Sequence, residues 1–186
     1  MLTDDIKNYS IKQLEGLAGE LREQLIGTVR ENGGHLSSNL GAVELVLALH
    51  KVFDFPQDKL IFDVGHQSYV HKLLTGRSLE TLRKKGGTSG FPDPFESEYD
   101  PFIAGHSGTS VAAGIGLCNA RDLRGENYRV ISCIGDASLG NGLALEAVFS
   151  SEQKPKNFLV VLNDNGMSIR TNHSALYRSI SKVTAK

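Results

Sequence analysis

Two stretches of this chain bring together residue types that could hold an anion through a cation. Gly135-Asp136-Ala137-Ser138 follows one apolar run, and Asn163-Asp164-Asn165-Gly166-Met167 follows another. A carboxylate at one strand end and an amide oxygen at the next suit a hard cation. Mg²⁺ takes oxygen ligands and is usually held by a few protein groups together with substrate phosphates. Each piece also has a plainer reading: Gly-Asp-x-Ser is common helix-capping chemistry, and Asn163 and Asn165 are common turn residues. The combination carries the expectation. Three histidines stand next to glycine, namely His35 after Gly33-Gly34, His66 after Gly65, and His106 between Gly105 and Ser107. Glycine lets the backbone approach a ligand, and imidazole titrates near neutrality. His50 lies in an apolar stretch and reads as structural, His71 is ambiguous, and His173 has no motif around it. Glu98, Tyr99 and Asp100 read as a solvated charged loop.

These groups need elements to position them. Ser10 precedes Ile11, Leu14, Leu17, Ala18, Leu21 and Leu25 at helical spacing, which predicts a capped amphipathic helix to about Arg30, ended by Asn32-Gly33-Gly34. A second helix is expected from Gly41 through Phe53, with Pro56 as its stop. Lys59 to Val64 reads as a short strand. Gly86 to Gly105, with Pro92, Pro94 and Pro101, reads as a long functional loop. Ser107 to Leu123 is expected to be helical, Tyr128 to Ile134 a β-branched strand, Gly140 to Ser151 a helix, and Phe158 to Leu162 a second apolar strand. Strand, helix, strand spells a βαβ unit, hence an α/β fold with a parallel sheet flanked by helices. Ligands of such sheets bind beyond the carboxyl ends of the strands, where a following helix offers free N–H groups and its positive end.

Composition sets the outer bounds. With 186 residues, 40% hydrophobic, the chain reads as a single domain spanning 1–186. A net charge of -1, with both signs mixed, points away from nucleic acid and from a membrane surface. The first residues are polar, and no apolar run approaches a membrane span. Cys118 and Cys133 lie in apolar runs without metal-ligand spacing and read as buried thiols of a reducing compartment. A cytoplasmic location is the expectation.

Gly-Asp-Ala, a helix, and an apolar strand ending in Asn-Asp-Asn together resemble the metal and diphosphate signature of thiamine-diphosphate enzymes. The rest narrows the likeness: Gly33-Gly34-His35-Leu36, Ser38-Asn39-Leu40-Gly41, Asp63-Val64-Gly65-His66-Gln67, His71-Lys72, Leu74-Thr75-Gly76-Arg77, Glu96-Ser97-Glu98-Tyr99-Asp100 and Gly105-His106-Ser107. In this order they resemble the N-terminal region of the 1-deoxy-D-xylulose-5-phosphate synthase family. The resemblance implies a thiamine-diphosphate-binding fold, here incomplete, with Mg²⁺ held by Asp136, Asn165 and the main-chain carbonyl of Met167. It implies cofactor contacts from His66, Gly105, His106, Ser107, Ala137, Ser138 and Asn165, and a chemical role for His35 near the reactive carbon of the cofactor. The family's substrates are pyruvate and glyceraldehyde 3-phosphate, and its complete form is expected as a homodimer.

The chain departs from the family pattern in three places. Ala137-Ser138 stands for Gly-Ala, Gly166 for Glu, and Gly140-Asn141-Gly142 for a Thr-Gly-Gly or Ala-Gly run. The liganding types are intact. The glutamate that activates the cofactor belongs to the family's pyrimidine-binding domain, and no residue here can be assigned to it. That domain is expected in cis or as a separate subunit, the chain reading as a fragment or as one half of a split enzyme. A split transketolase-like subunit with another ketol donor, or a non-catalytic cofactor-binding remnant, are the alternatives.

Overall fold

Ser10 starts the first helix by a reciprocal cap: Gln13 N–H donates to Ser10 Oγ at 3.4 Å, and Ser10 N–H donates to Gln13 Oε1 at 2.9 Å. A computed structural model of the chain describes residues 5–150, 155–164 and 178. In chain order its elements are α1 (Ile11–Asn32), α2 (Leu36–Leu40), α3 (Val43–Val52), β1 (Lys59–Phe62), α4 (Tyr69–Leu74), α5 (Ser110–Arg124), β2 (Val130–Gly135), α6 (Asp136–Leu139), α7 (Gly142–Ser150) and β3 (Phe158–Asn163). They form two compact units, Met1–Lys59 with Gly65–Gly105, and Leu60–Val64 with His106–Lys186.

In the first unit the buried stripe of α1, Ala18, Leu21 and Leu25, packs toward α3, whose Val43, Val46, Leu47 and Leu49 are buried. The helix expected from Gly41 begins at Val43 and is preceded by the short α2. Asn39, fully buried in α2, explains the extra turn. Its Nδ2 donates to the carbonyls of His35 (2.6 Å) and His66 (2.7 Å), and its Oδ1 accepts the Tyr69 N–H at 2.9 Å. All six residues of α4 are buried, Lys72 included, and the sequence reading had placed no helix there. As expected, no helix or strand forms across 86–105.

The second unit is built on a sheet of order β1-β2-β3. β2 and β3 run parallel, in register from Val130↔Phe158 to Gly135↔Asn163. β2 is buried along its length except at Gly135, as an inner strand of a covered parallel sheet should be. Helix α5 lies close on the sheet because Gly114 lacks a side chain: a Cβ there would come within 2.6 Å of the Phe158 ring. Val111, Ile134, Ala144 and Ala147 form the core between α5, α7 and β2. The helix expected over Gly140 to Ser151 is α7, Gly142–Ser150, and the short α6 before it, Asp136–Leu139, was not expected. Cys118 and Cys133 are free and buried, and burial pushes the Cys133 thiol up to about 12. Among the described residues no helix is long and apolar enough to cross a membrane. The α/β architecture, with helices around a parallel sheet, is the one the sequence led us to expect.

Candidate active site

In the second unit, the register pairing of Gly135 with Asn163 sets the ends of β2 and β3 side by side. Asp136 follows directly and is 7% exposed, with Ala137 exposed and Ser138 half-buried beside it. Helix α6 has only four residues, too few aligned peptides for a substantial positive end. What Asp136 presents at this tip is therefore a carboxylate rather than a helix dipole. Asn165 and Met167, like His173, lie outside the described residues. Among the described residues no three His, Cys, Asp or Glu side chains converge as a metal cage. Asp136 alone is a donor suited to a hard ion that keeps most of its ligands from water and phosphate, so the described part of the donor set fits Mg²⁺ with a diphosphate.

The His106–Ser107 turn is held from two sides. Asp63, at the end of β1 and 1% exposed, accepts the N–H of Gly108 at 2.8 Å and of Ser110 at 3.0 Å. It thereby supplies the cap that Thr109, the N-cap residue of α5, does not. Asn141 donates from Nδ2 to the Ser107 carbonyl at 3.3 Å, and its Oδ1 accepts the Leu143 N–H at 3.1 Å. Gly108 has φ +84, and a Cβ there would lie 2.6 Å from Asn141 Cγ. His106 and Ser107 are exposed. Neither Asp63 nor Asn141 was singled out for a role from sequence. Asp63 was visible only inside a motif, and Asn141 only as a departure from one.

In the first unit, the sequence-selected His35 and His66 come together, with ring centroids 5.3 Å apart and edge-on. Asn39 ties both their carbonyls, and the His35 N–H donates to the Tyr69 hydroxyl at 3.4 Å. His35 is exposed, His66 half-buried, and the Phe91 ring lies 6.1 Å from that of His35. Gly34, at φ +138, fits only without a side chain, because a Cβ would stand 2.8 Å from the Tyr69 hydroxyl. Among the described residues, nothing beyond its chain neighbours lies within 4 Å of where a Cβ on Gly105, at φ +142, would be.

Of the residues expected to form a solvated charged surface, Glu98 is exposed and Tyr99 half-buried, but Asp100 is not solvated. Asp100 is 2% exposed. Its carboxylate accepts from Arg77 through Nη1 (2.5 Å) and Nη2 (3.1 Å), from the Asp93 N–H (2.9 Å), and from His71 Nε2 (3.1 Å). Burial pushes its pKa up, yet the hydrogen bonds from His71 and Arg77 hold the carboxyl well below the usual range. A carboxylate only accepts, so His71 carries its proton on Nε2 and takes the His50 Nε2–H on Nδ1, 2.9 Å away. Burial holds both imidazoles neutral, with His50 lowered to about 2. Lys72 donates to Glu96 at 2.5 Å, and Arg77 Nη1 reaches Glu96 at 3.2 Å. Burial lowers the Lys72 pKa against the opposing bond to Glu96.

The architecture, helices around a parallel sheet, is shared by solved structures. Transketolase from Campylobacter jejuni superposes with a TM-score of 0.76 at 23% identity, covering 88% of this chain and 30% of that one. Transketolase from Leishmania mexicana gives 0.75 at 17% identity, covering 93% and 35%. The fold is therefore transketolase-like. The sequence places it more closely: residues 2–186 match the N-terminal model of the 1-deoxy-D-xylulose-5-phosphate synthase family, and the chain belongs to that family. It is 52% identical over 181 residues to the 1-deoxy-D-xylulose-5-phosphate synthase of Dictyoglomus turgidum, covering 96% of this chain and 29% of that protein. Against the Pelotomaculum thermopropionicum enzyme it is 55% identical over 181 residues, covering 96% and 28%. The chain thus spans less than a third of the length of these curated relatives.

Proposed function

We propose that this chain is the part of a 1-deoxy-D-xylulose-5-phosphate synthase that holds the diphosphate end of thiamine diphosphate together with Mg²⁺. The observation that most supports it is the Gly135–Asn163 register pair, which sets the strand end carrying Asp136 beside the strand leading to Asn165. When bound, the cofactor supplies the carbanion chemistry, and the protein supplies binding, orientation and proton handling. Asp136 and Asn165 hold the metal with the main-chain carbonyl of Met167. Ala137, Ser138, Gly105, His106 and Ser107 offer backbone and short polar groups to the cofactor. His66 contacts the cofactor, and His35, an exposed imidazole beside it, moves protons at the reacting centre.

The complete enzyme would decarboxylate pyruvate and join the two-carbon unit to glyceraldehyde 3-phosphate, giving 1-deoxy-D-xylulose 5-phosphate and CO₂ as a precursor for isoprenoid and thiamine synthesis. It would act as a cytoplasmic homodimer. The glutamate that engages the aminopyrimidine ring would come from a pyrimidine-binding domain, in cis or on a separate subunit. Residues 1–186 would therefore show no synthase activity alone and would gain it only with that domain.

Calorimetry with Mg²⁺ and thiamine diphosphate tests the assignment. Asp136→Ala, at the tip of an element, should leave the fold intact and weaken Mg²⁺-dependent binding strongly. Unchanged affinity would sink it. Product formation from the two substrates, assayed with the chain alone and with a pyrimidine-domain partner, tests the division of labour, and turnover by the chain alone would refute it.

A further inference from the structure

The 86–105 loop is anchored by charge. Of its residues only Pro92 and Asp100 are buried, whereas Phe91 and Phe102 are half-exposed and Phe95 is 91% exposed. A segment this long without regular structure has few backbone partners of its own, and here two inward-turned carboxylates supply them. Glu96 accepts the Ser89 N–H at 2.6 Å and Asp100 accepts the Asp93 N–H at 2.9 Å. Both carboxylates also meet Arg77, Lys72 meets Glu96, and His71 meets Asp100. Lys72 and His71 lie on α4, in the same run of chain as Tyr69, the residue that accepts the His35 N–H. The loop also packs closely at Gly65, where a Cβ would run into the Pro92 ring and the Ala104 methyl. Between these anchors stands Phe91, whose ring lies against His35.

We infer that Glu96 and Asp100 are positioning residues: clamped on Lys72, Arg77 and His71, they hold the loop in the one form that sets Phe91 beside His35. Arg77 serves both carboxylates at once because its planar fork donates in several directions, and Lys72 Nζ, bonded to Glu96, also lies 3.9 Å from Asp100. Phe91 gives the exposed His35 ring a second aromatic neighbour besides His66. A loop freed from the clamp would leave His35 in place, since Asn39 and Tyr69 hold its backbone, but would change what its ring faces. The functional consequence rests on the reading of His35 as a chemical group. The geometric claim does not.

The test uses the 186-residue chain labelled for NMR, with no cofactor added, so its outcome is independent of whether thiamine diphosphate binds. A phenyl ring at this distance shifts the His35 ring-proton resonances, and Phe91→Leu defines the unshifted position. Glu96→Gln, at the more exposed end of the network, should move the His35 resonance most of the way to the Phe91→Leu value. It should speed amide exchange at Ser89 and Asp93 about tenfold or more while the β2 amides keep their protection. Asp100→Asn should do the same more strongly if it folds, and Glu96→Gln decides the matter if it does not. A His35 resonance unmoved in folded Glu96→Gln would overturn the inference, as would protection lost equally in β2, because either result makes the network a support of the fold alone.

Discussion

The carboxylate of Asp63 accepts the Gly108 N–H at 2.8 Å, a bond between residues 45 apart that pins the turn after His106 to the end of β1. With the Ser110 N–H on its other oxygen, Asp63 satisfies two buried backbone donors at the start of α5. Asparagine in its place can accept with one oxygen only and turns an N–H₂ toward the second donor. Asp63→Asn should therefore cost about 1–3 kcal/mol, the range for a buried donor left unsatisfied. Urea unfolding of the chain measures it, and a loss under a few tenths would mean the second donor finds another acceptor. The turn should also loosen, so Mg²⁺-dependent affinity for thiamine diphosphate should fall alongside.

Asn141 separates two roles that usually travel together. Its Oδ1 caps α7 through the Leu143 N–H, while its Nδ2 holds the Ser107 carbonyl. Asn141→Ala removes both and should lower stability by about 0.5–2 kcal/mol, as lost caps do. Asn141→Ser keeps a capping oxygen but is too short to reach Ser107. Its melting temperature should stay near wild type while cofactor affinity drops severalfold. Were affinity to track melting temperature through both variants, Asn141 would be a cap and nothing more.

What was legible in the sequence was local or periodic. The Ser10 cap and α1 follow from a short capping motif and an apolar repeat, β2 from a β-branched run and β3 from an apolar one. Their tips could be named because a strand end and the turn after it are contiguous in sequence. The same reasoning selected His35 and His66 separately, but their contact depends on Asn39, which bonds to His66 and Tyr69 across 27 and 30 positions. Asp100 misled, and His71 stayed ambiguous, for the same reason. A buried charge is recognisable only with its partner, and the partners here lie 24 and 29 positions away. α4 was missed because its buried polar residues break the apolar periodicity that announces a helix.

Gly34 should tolerate no side chain. At φ +138 an L-residue is strained, and the added methyl would stand 2.8 Å from the Tyr69 hydroxyl. Strain of this kind costs on the order of 1–3 kcal/mol, and overpacking adds to it. In a double-mutant cycle Tyr69→Phe removes the atom met first, so the loss from Gly34→Ala should be smaller when Tyr69→Phe is already present. Additive losses would show that the backbone conformation alone, and not the tyrosine, demands glycine.

Acid should destabilise the first unit earlier than its carboxylates alone would. Burial lowers the pKa of both His50 and His71, His50 to about 2, so the folded chain holds them neutral. In the unfolded chain both titrate near about 6.5. Below about pH 6.5 the unfolded state binds protons that the folded state refuses, and stability falls as pH falls, by about 1.4 kcal/mol per unit for each imidazole kept neutral. Asp100, whose pKa is depressed, adds its own loss only below about pH 4, where the unfolded carboxylate protonates. His50→Gln keeps a donor for His71 Nδ1 but cannot titrate. Its stability, read from denaturant midpoints between about pH 7.5 and 5, should therefore fall with roughly half the wild-type slope. A wild-type profile flat over that range, or a variant with the full slope, would mean the buried pair takes up protons in the folded state and that burial does not hold His50 neutral.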